Sequence, residues 1–224
     1  MAEKIVTPKA PLMWVCINNA GKPNMSGKLE FLASILLDPK NDVAHQAFID
    51  KIDTFWEDNR PKTKKKPKST GYYLNDFLLD EDGEKQYDDD DKALKDPNGK
   101  VIVVFKTGTT YKDGKAKVIR IRNAKNNEVA LGSKSIGNDS IGRIAGAMDT
   151  YVTYRPDSKV VADAGVTLYL DAIQLTKFVE YSGGDTGFEE DDEEDGFTGV
   201  EDSEFEGVEE EETSPAPTGK KVRL

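Results

Sequence analysis

The sequence predicts a mainly β chain: a small antiparallel barrel with one accessory α-helix, followed by a disordered acidic tail. Three observations predict it. Short apolar or alternating runs recur through residues 1–181, one segment carries a helical period, and the composition changes sharply near residue 182.

Leu12–Ile17 is a continuous apolar run, too short for a typical helix, and reads as a strand buried on both faces. Within it, Trp14 reads as a core residue. Gly27–Leu37 is a second strand, ended by Asp38-Pro39. From Asn41 the period lengthens, and Val43, Ala44, Ala47, Phe48, Ile52, Phe55 and Trp56 recur at three- and four-residue steps. Asn41 or Asp42 caps the start and Pro61 follows the end, so 42–58 is an amphipathic helix.

Val101–Phe105 and Ala116–Arg122 are strands flanking a turn region at Tyr111–Gly114, a hairpin with a longer loop. Ile141–Arg155 contains Gly142 and Gly146, and glycine inside a strand marks a bulge or tight curvature. Gly165–Tyr181 begins with Val166, Leu168 and Leu170 on one face. Its parity switches at Ile173 and Leu175, as a bulged strand requires. Several curved strands and one helix suit a small barrel, although a β-sandwich is compatible with the same strands. No internal repeat is visible.

An insertion at about 59–99 separates the helix from the hairpin. Its first half is basic (Arg60, Lys62, Lys64, Lys65, Lys66 and Lys68, broken by Pro61 and Pro67), and its second half is acidic from Asp80 to Asp91. The larger boundary lies at about 182. Residues 182–224 carry 16 acidic and 3 basic residues, including seven successive carboxylates at Glu189–Asp195. Such a segment repels itself and has too little apolar surface to offset the entropy of ordering. Phe188, Phe197 and Phe205, set among acids, suggest transient contact with partners. The domains expected are therefore a binding domain at 1–181 and a tail at 182–224.

The net charge of -11 is thus an average over unlike parts, with the tail at -13 and the body at +2. One Cys and one His exclude a disulfide scaffold and most metal centres or catalytic triads. His45 reads as a surface or boundary residue on the helix, and Cys16 as an inert core thiol. Asp80, Asp82 and Asp88–Asp91 offer oxygen ligands for a hard cation such as Mg²⁺, but a flexible loop gives them no fixed geometry. No phosphate-binding loop, nucleophile–base pair or cofactor motif stands out, so the chain reads as non-enzymatic with no cofactor. No apolar run reaches the roughly 18 residues a membrane span needs, and the start lacks a signal-peptide pattern.

Basic and aromatic residues interleave from 100 to 159, where 12 basic residues face 5 acidic ones. Period-2 geometry puts Arg120 and Arg122 on one outer face, opposite Ile119 and Ile121. Tyr151, Thr153 and Arg155 share another face, opposite Val152 and Tyr154. Tyr111 sits at a loop tip among Lys106, Lys112 and Lys115. Single-stranded nucleic acid calls for this mixture: cations follow phosphates, and exposed rings stack on unpaired bases.

These residues resemble the bacteriophage single-stranded-DNA-binding proteins with an OB-fold core. The resemblance rests on the basic β-rich body with its acidic tail, and on local patches. These are Pro11-Leu12-Met13-Trp14-Val15, Lys28-Leu29-Glu30-Phe31, the stretch from Gly142-Arg143-Ile144 to Tyr151-Val152, and Leu168-Tyr169-Leu170-Asp171-Ala172-Ile173-Gln174-Leu175. It implies an OB barrel that binds single-stranded DNA with little sequence preference during replication and recombination, in the cytoplasm of an infected bacterial host. It implies that the tail contacts replication or recombination proteins and competes for the DNA groove, and it is compatible with a homo-oligomer. The last residues here are Lys220-Lys221-Val222-Arg223-Leu224, where such tails often end in acids and an aromatic.

On this reading Tyr111, Tyr151 and Tyr154 stack on bases, and Trp14 either stacks as well or, as favoured, belongs to the core. Arg120, Arg122, Arg143 and Arg155 track phosphates together with Lys106, Lys115 and Lys117, while Lys62, Lys64, Lys65 and Lys66 form a clamping arm. The rival readings are an acidic-tailed adaptor that mimics nucleic acid and, less favoured, a carboxylate-metal nuclease using residues 80–91.

Overall fold

The computed structural model describes residues 2–17, 21–81, 83–111 and 113–181; the expected tail at 182–224 lies outside them. Nine strands and one helix follow in the order β1 (Glu3–Val6), β2 (Ala10–Cys16), β3 (Lys22–Pro23), β4 (Leu29–Leu37), α1 (Val43–Asn59), β5 (Tyr72–Leu74), β6 (Val101–Gly108), β7 (Arg120–Arg122), β8 (Ile141–Tyr154) and β9 (Val161–Lys177). The main sheet path is β5-β6-β4-β2-β8-β9-β7, with β1 added on β8 and β3 on β4. Every pairing is antiparallel except β7 with β9. The protein is mainly β, as expected, with an OB-like curved barrel.

Leu12, Ile35, Phe105, Ile144, Leu168, Leu170 and Ile173 are fully or almost fully buried at the centre. Each contributes about 1.5–3 kcal/mol of transfer free energy. β8 and β9 pair over their whole length, with register shifts beside Gly142 and Gly146. The expected bulges are there, and they let two strands of 14 and 17 residues coil around the core.

The helix begins at Asp42, whose carboxylate accepts the Ala44 and His45 amides at 2.8 and 3.3 Å. Arg60, whose N–H still reaches the Trp56 carbonyl, closes it before Pro61. The buried stripe is His45, Phe48, Ile49, Ile52, Phe55 and Trp56, packed toward β8 and β9. Val43, Ala44 and Ala47, expected on that stripe, are exposed. His45, expected at the surface or boundary, is buried, and its Nδ1 accepts the Asp38 amide at 3.0 Å.

Along β6 every residue pairs with β4, and Val101–Val103 also pair with β5. Both edges are therefore taken, which is why the expected Val101–Phe105/Ala116–Arg122 hairpin fails. Only its tip forms: Tyr111 N donates to Lys115 O and Lys117 N to Thr109 O. The chain then leaves β6, and Arg120–Arg122 pair with β9 in parallel instead. The Leu12–Ile17 strand also differs from expectation. Leu12 is buried, but a register break between Met13 and Cys16 turns Trp14 outward. Trp14 has φ +49°, is 47% exposed and donates its backbone N–H to Asn138 Oδ1.

The basic half of the insertion closes the barrel. β6 and β9 lie against each other without pairing, and residues 68–71 cross the gap. Lys68 N donates to Ala164 O (2.8 Å), Val166 N to Ser69 O (2.8 Å) and Val104 N to Gly71 O (2.9 Å). Backbone groups in such a seam need partners, since an unpaired buried amide costs about as much as a lost hydrogen bond. The strap turns at Gly71, with φ +82°, where a Cβ would lie 2.9 Å from Leu168 Cγ.

The acidic half is a small knob with a repeat the sequence conceals. Three turns start eight residues apart on Asp80, Asp88 and Asp96, each accepting turn amides through its Oδ1. Leu78 N donates to Leu94 O, Leu94 N to Gln86 O and Gln86 N to Leu78 O, a closed triangle. The Lys85 and Lys95 ammoniums lie 4.1 and 3.6 Å from the Phe77 ring centroid. Only the aspartates recur at this spacing, too little to register as a repeat.

Gly71→Ala adds left-handed strain and a clash at the seam, and lowers stability by about 2–4 kcal/mol in urea unfolding. Gly27→Ala, with φ +76° and nothing within 4 Å, costs only the strain, about 1–2 kcal/mol. Equal losses for the two variants would contradict a tight strap.

Candidate nucleic-acid interface

Directly opposed residues of an antiparallel pair share a face. Leu32 opposes Lys106, Ser34 opposes Val104, and Tyr73 opposes Ile102. Ile102, Val104 and Lys106 alternate with Val103, Phe105 and Thr107, which are buried. The outer face of β4, β6 and β5 thus presents Leu32, Val104, Lys106 and Tyr73.

Across the strap, Tyr151 of β8 opposes Gly165 of β9. A Cβ on Gly165 would lie 2.5 Å from the Ser69 carbonyl oxygen and 2.8 Å from the Tyr151 ring. The absence of a side chain there lets the phenol ring lie down beside the strap. A third wall comes from the β3–β4 hairpin, through Lys22, Pro23, Asn24, Met25 and Glu30. Together these elements enclose an open cleft of about 670 Å³, floored by Leu32, Val104, Val166 and Leu168.

Two cations, Lys22 and Lys106, line the cleft against one carboxylate, Glu30, which accepts the Asn24 side-chain amide at 2.8 Å. Behind Tyr151, Lys68 Nζ donates to Asp163 Oδ2 at 2.8 Å. That hydrogen bond holds the Asp163 carboxyl below its ordinary range and raises the Lys68 ammonium. Burial pushes the Tyr73 and Tyr151 phenols up, the nearby Lys68 charge opposing this for Tyr151.

Of the residues expected to contact DNA, Lys106 and Tyr151 meet in this cleft. Lys64 is partly buried, its Nζ donating to Ala162 O and its carbonyl accepting from Arg60, so it anchors the strap to β9. Lys62, Lys65 and Lys66 are exposed beside it. Tyr154 and Arg155 are exposed at the β8–β9 turn. Tyr111 is 54% exposed on the 109–117 turn, with the Lys117 ammonium 5.1 Å from its ring centroid. Lys117 also donates to Thr107 Oγ1 at 2.6 Å, and Lys115 pairs with Asp113 at 3.2 Å. Lys112 lies outside the described residues.

Arg120, Arg122 and Arg143 are not brought to the cleft. The first two lie on β7, at the opposite end of the sheet path from β5, where Arg122 binds the Asn126 carbonyl at 2.8 Å. Arg143 lines a separate cavity of about 570 Å³ with Lys9 and the first turns of α1. Sequence reasoning missed Lys22, Met25 and Tyr73. The Asn24–Gly27 turn signal and the position of Tyr73 at the strap's exit were the available cues. Asp80 and Asp88, weighed as oxygen ligands for a hard cation and disfavoured, accept turn amides.

No protein-family model matches the chain, and no curated protein matches it in sequence. Among solved structures it is similar to gp2.5, a single-stranded DNA binding protein encoded by bacteriophage T7. The TM-score is 0.50 and the identity 15%, over 89% of this chain and 100% of that one. The single-stranded-DNA-binding protein of bacteriophage Enc34, in complex with ssDNA, gives a TM-score of 0.45 at 14% identity, over 80% of this chain and 89% of that one. A phage single-stranded DNA binding protein, of the kind the sequence resembles, is thus also a structural neighbour. The first of these likenesses establishes a shared fold.

Tyr72 also lines the cleft, and its hydroxyl donates to Asp53 of α1 at 2.8 Å, tying β5 to the helix. Burial, then this bond and the Asp53 charge, hold the phenol well above its ordinary value. Because the folded-state value is raised, the tie is complete below pH of about 10 and is lost as pH rises through the folded value. In a spectrophotometric titration Tyr72 ionises well above the ordinary phenol range, and Tyr72→Phe deletes that late step. An unchanged titration curve would contradict this geometry.

Proposed function

We propose that the protein binds single-stranded DNA without catalysis and with little sequence preference. The observation that carries this reading is the cleft, where the half-exposed Tyr73, the partly buried Tyr151, two lysines and an apolar floor converge. Every base has a π-face and an apolar edge, so rings and aliphatic walls hold bases of any identity, while lysines neutralise the passing phosphates. The cleft offers few polar groups to read base edges. A fold shared with a protein named for single-stranded DNA binding supports the same reading.

Tyr73 and Tyr151 stack on bases, and Lys22 and Lys106 meet phosphates, with Lys62, Lys65 and Lys66 beside them. Tyr111, Lys115, Lys117, Tyr154 and Arg155 extend the path at its ends. Arg120, Arg122 and Arg143 would meet a strand that continues beyond the cleft. Residues 1–181 serve as the binding domain. The tail at 182–224, at -13 against a body at +2, competes with DNA for the basic surface and recruits replication or recombination proteins. The setting is DNA replication or recombination in an infected bacterium.

Labelled oligo-dT titrations test this. Tyr73→Ala and Tyr151→Ala each weaken binding by about 1–3 kcal/mol, and Lys106→Ala reduces the salt slope by about 0.7. No binding at about 50 mM salt would overturn the reading. A chain ending at Tyr181 binds more tightly than the full chain, by a margin that shrinks as salt rises. Equal affinities at low salt would remove the competing tail.

A further inference from the structure

Met25 stands out among the described residues as the most exposed large apolar side chain, at 108%. A single exposed hydrophobic is ordinary on a protein surface. Two features make this one different. It lines the cleft that also holds Tyr73 and Tyr151, and the turn presenting it is tied down.

Asn24 organises that turn. Its backbone N–H donates to Lys28 O at 2.8 Å, and its carbonyl accepts from Gly27 N at 2.9 Å. Its side-chain Oδ1 accepts from Ser26 N, Ser26 Oγ and Lys28 N at 2.9–3.0 Å, while Nδ2 donates to Glu30 Oε1. The carboxamide thus pins both the turn and the first residues of β4. Met25 is held out into water at the cleft rim by a braced backbone, with no protein group covering it.

We propose that Met25 is a base-contacting residue that covers a nucleobase bound in the cleft, from the wall formed by the β3–β4 hairpin. The inference rests on the single-stranded-DNA reading and adds to it a specific contact. The chemistry fits. A thioether is polarisable, makes favourable contacts with aromatic rings, and on three rotatable bonds adapts to rings of different size. A cleft that accepts both purines and pyrimidines needs such an adaptable cover beside its flat rings. Lys22 and Lys28 flank the turn, one on each side in sequence, and place positive charge beside the same base's phosphates.

The test uses the full chain with ¹³C-labelled methionine methyls, titrated with oligo-dT while affinity is followed by fluorescence. On saturation the Met25 methyl moves upfield under the ring current of the base, while Met148, fully buried, stays in place. Met25→Gln, which keeps the length but not the apolar character, weakens binding about 5–10-fold, the worth of partly burying one such side chain. Met25→Leu stays within about twofold of the parent, as similar-volume apolar exchanges do. Binding of oligo-dT with an unmoved Met25 methyl, or with Met25→Gln binding as tightly as the parent, overturns this contact and leaves the single-stranded-DNA reading standing. Absence of any oligo-dT binding at about 50 mM salt overturns both.

Discussion

The constraint on which the structure depends is the seam between β6 and β9. Neither strand pairs with the other, and the Val104 and Val166 amides find their acceptors in Gly71 and Ser69. A stretch of four residues therefore joins two edges of a curved sheet. Local features of the sequence follow from it: a glycine where the strap turns against Leu168, another where Tyr151 lies beside it, and lysines 64 and 68 bonded to β9. Directly after the strap, Tyr73 emerges on the outer face of β5. The element that closes the barrel also sets the two tyrosines on either side of one cleft.

The electrostatics follow the same division of labour. Lys64 and Lys68 belong to a run that looks like a solvated or DNA-clamping arm, yet both act first as anchors, one on a carbonyl and one on Asp163. Charge that is free to meet a ligand comes from the residues between and around them. The acidic knob is likewise built rather than merely charged, its aspartates binding their own turn amides and its Phe77 held between two ammoniums. The charge of the body is thus divided between groups that hold structure and groups that face the cleft.

Much of this was legible in the sequence. The helix was readable from its cap and period, because local signals decide both. The bulges of β8 and β9 were readable from Gly142, Gly146 and the parity switch, since period 2 makes a one-residue slip visible, while their pairing was not. Other features depend on distant partners. Nothing near Ala116–Arg122 reveals that both edges of β6 are occupied, so a hairpin is the natural local reading. Trp14 sits in an apolar run and looks buried, but a register break and a hydrogen bond from its own backbone N–H to Asn138, 124 residues away, turn it out. Of the residues that line the cleft, Lys106 and Tyr151 were singled out by charge and aromatic interleaving. Met25 and Tyr73 were not, because their significance comes only from the walls that face them.

The central claim is that single-stranded DNA runs through the cleft beside the strap. Photocrosslinking tests it most directly, with oligonucleotides carrying halogenated uracil at successive positions and the attached residues mapped by mass spectrometry. The account predicts crosslinks at Tyr73 and Tyr151. Crosslinks confined to Tyr111 or to the Arg120–Arg122 edge, with both cleft tyrosines unmodified, would contradict it.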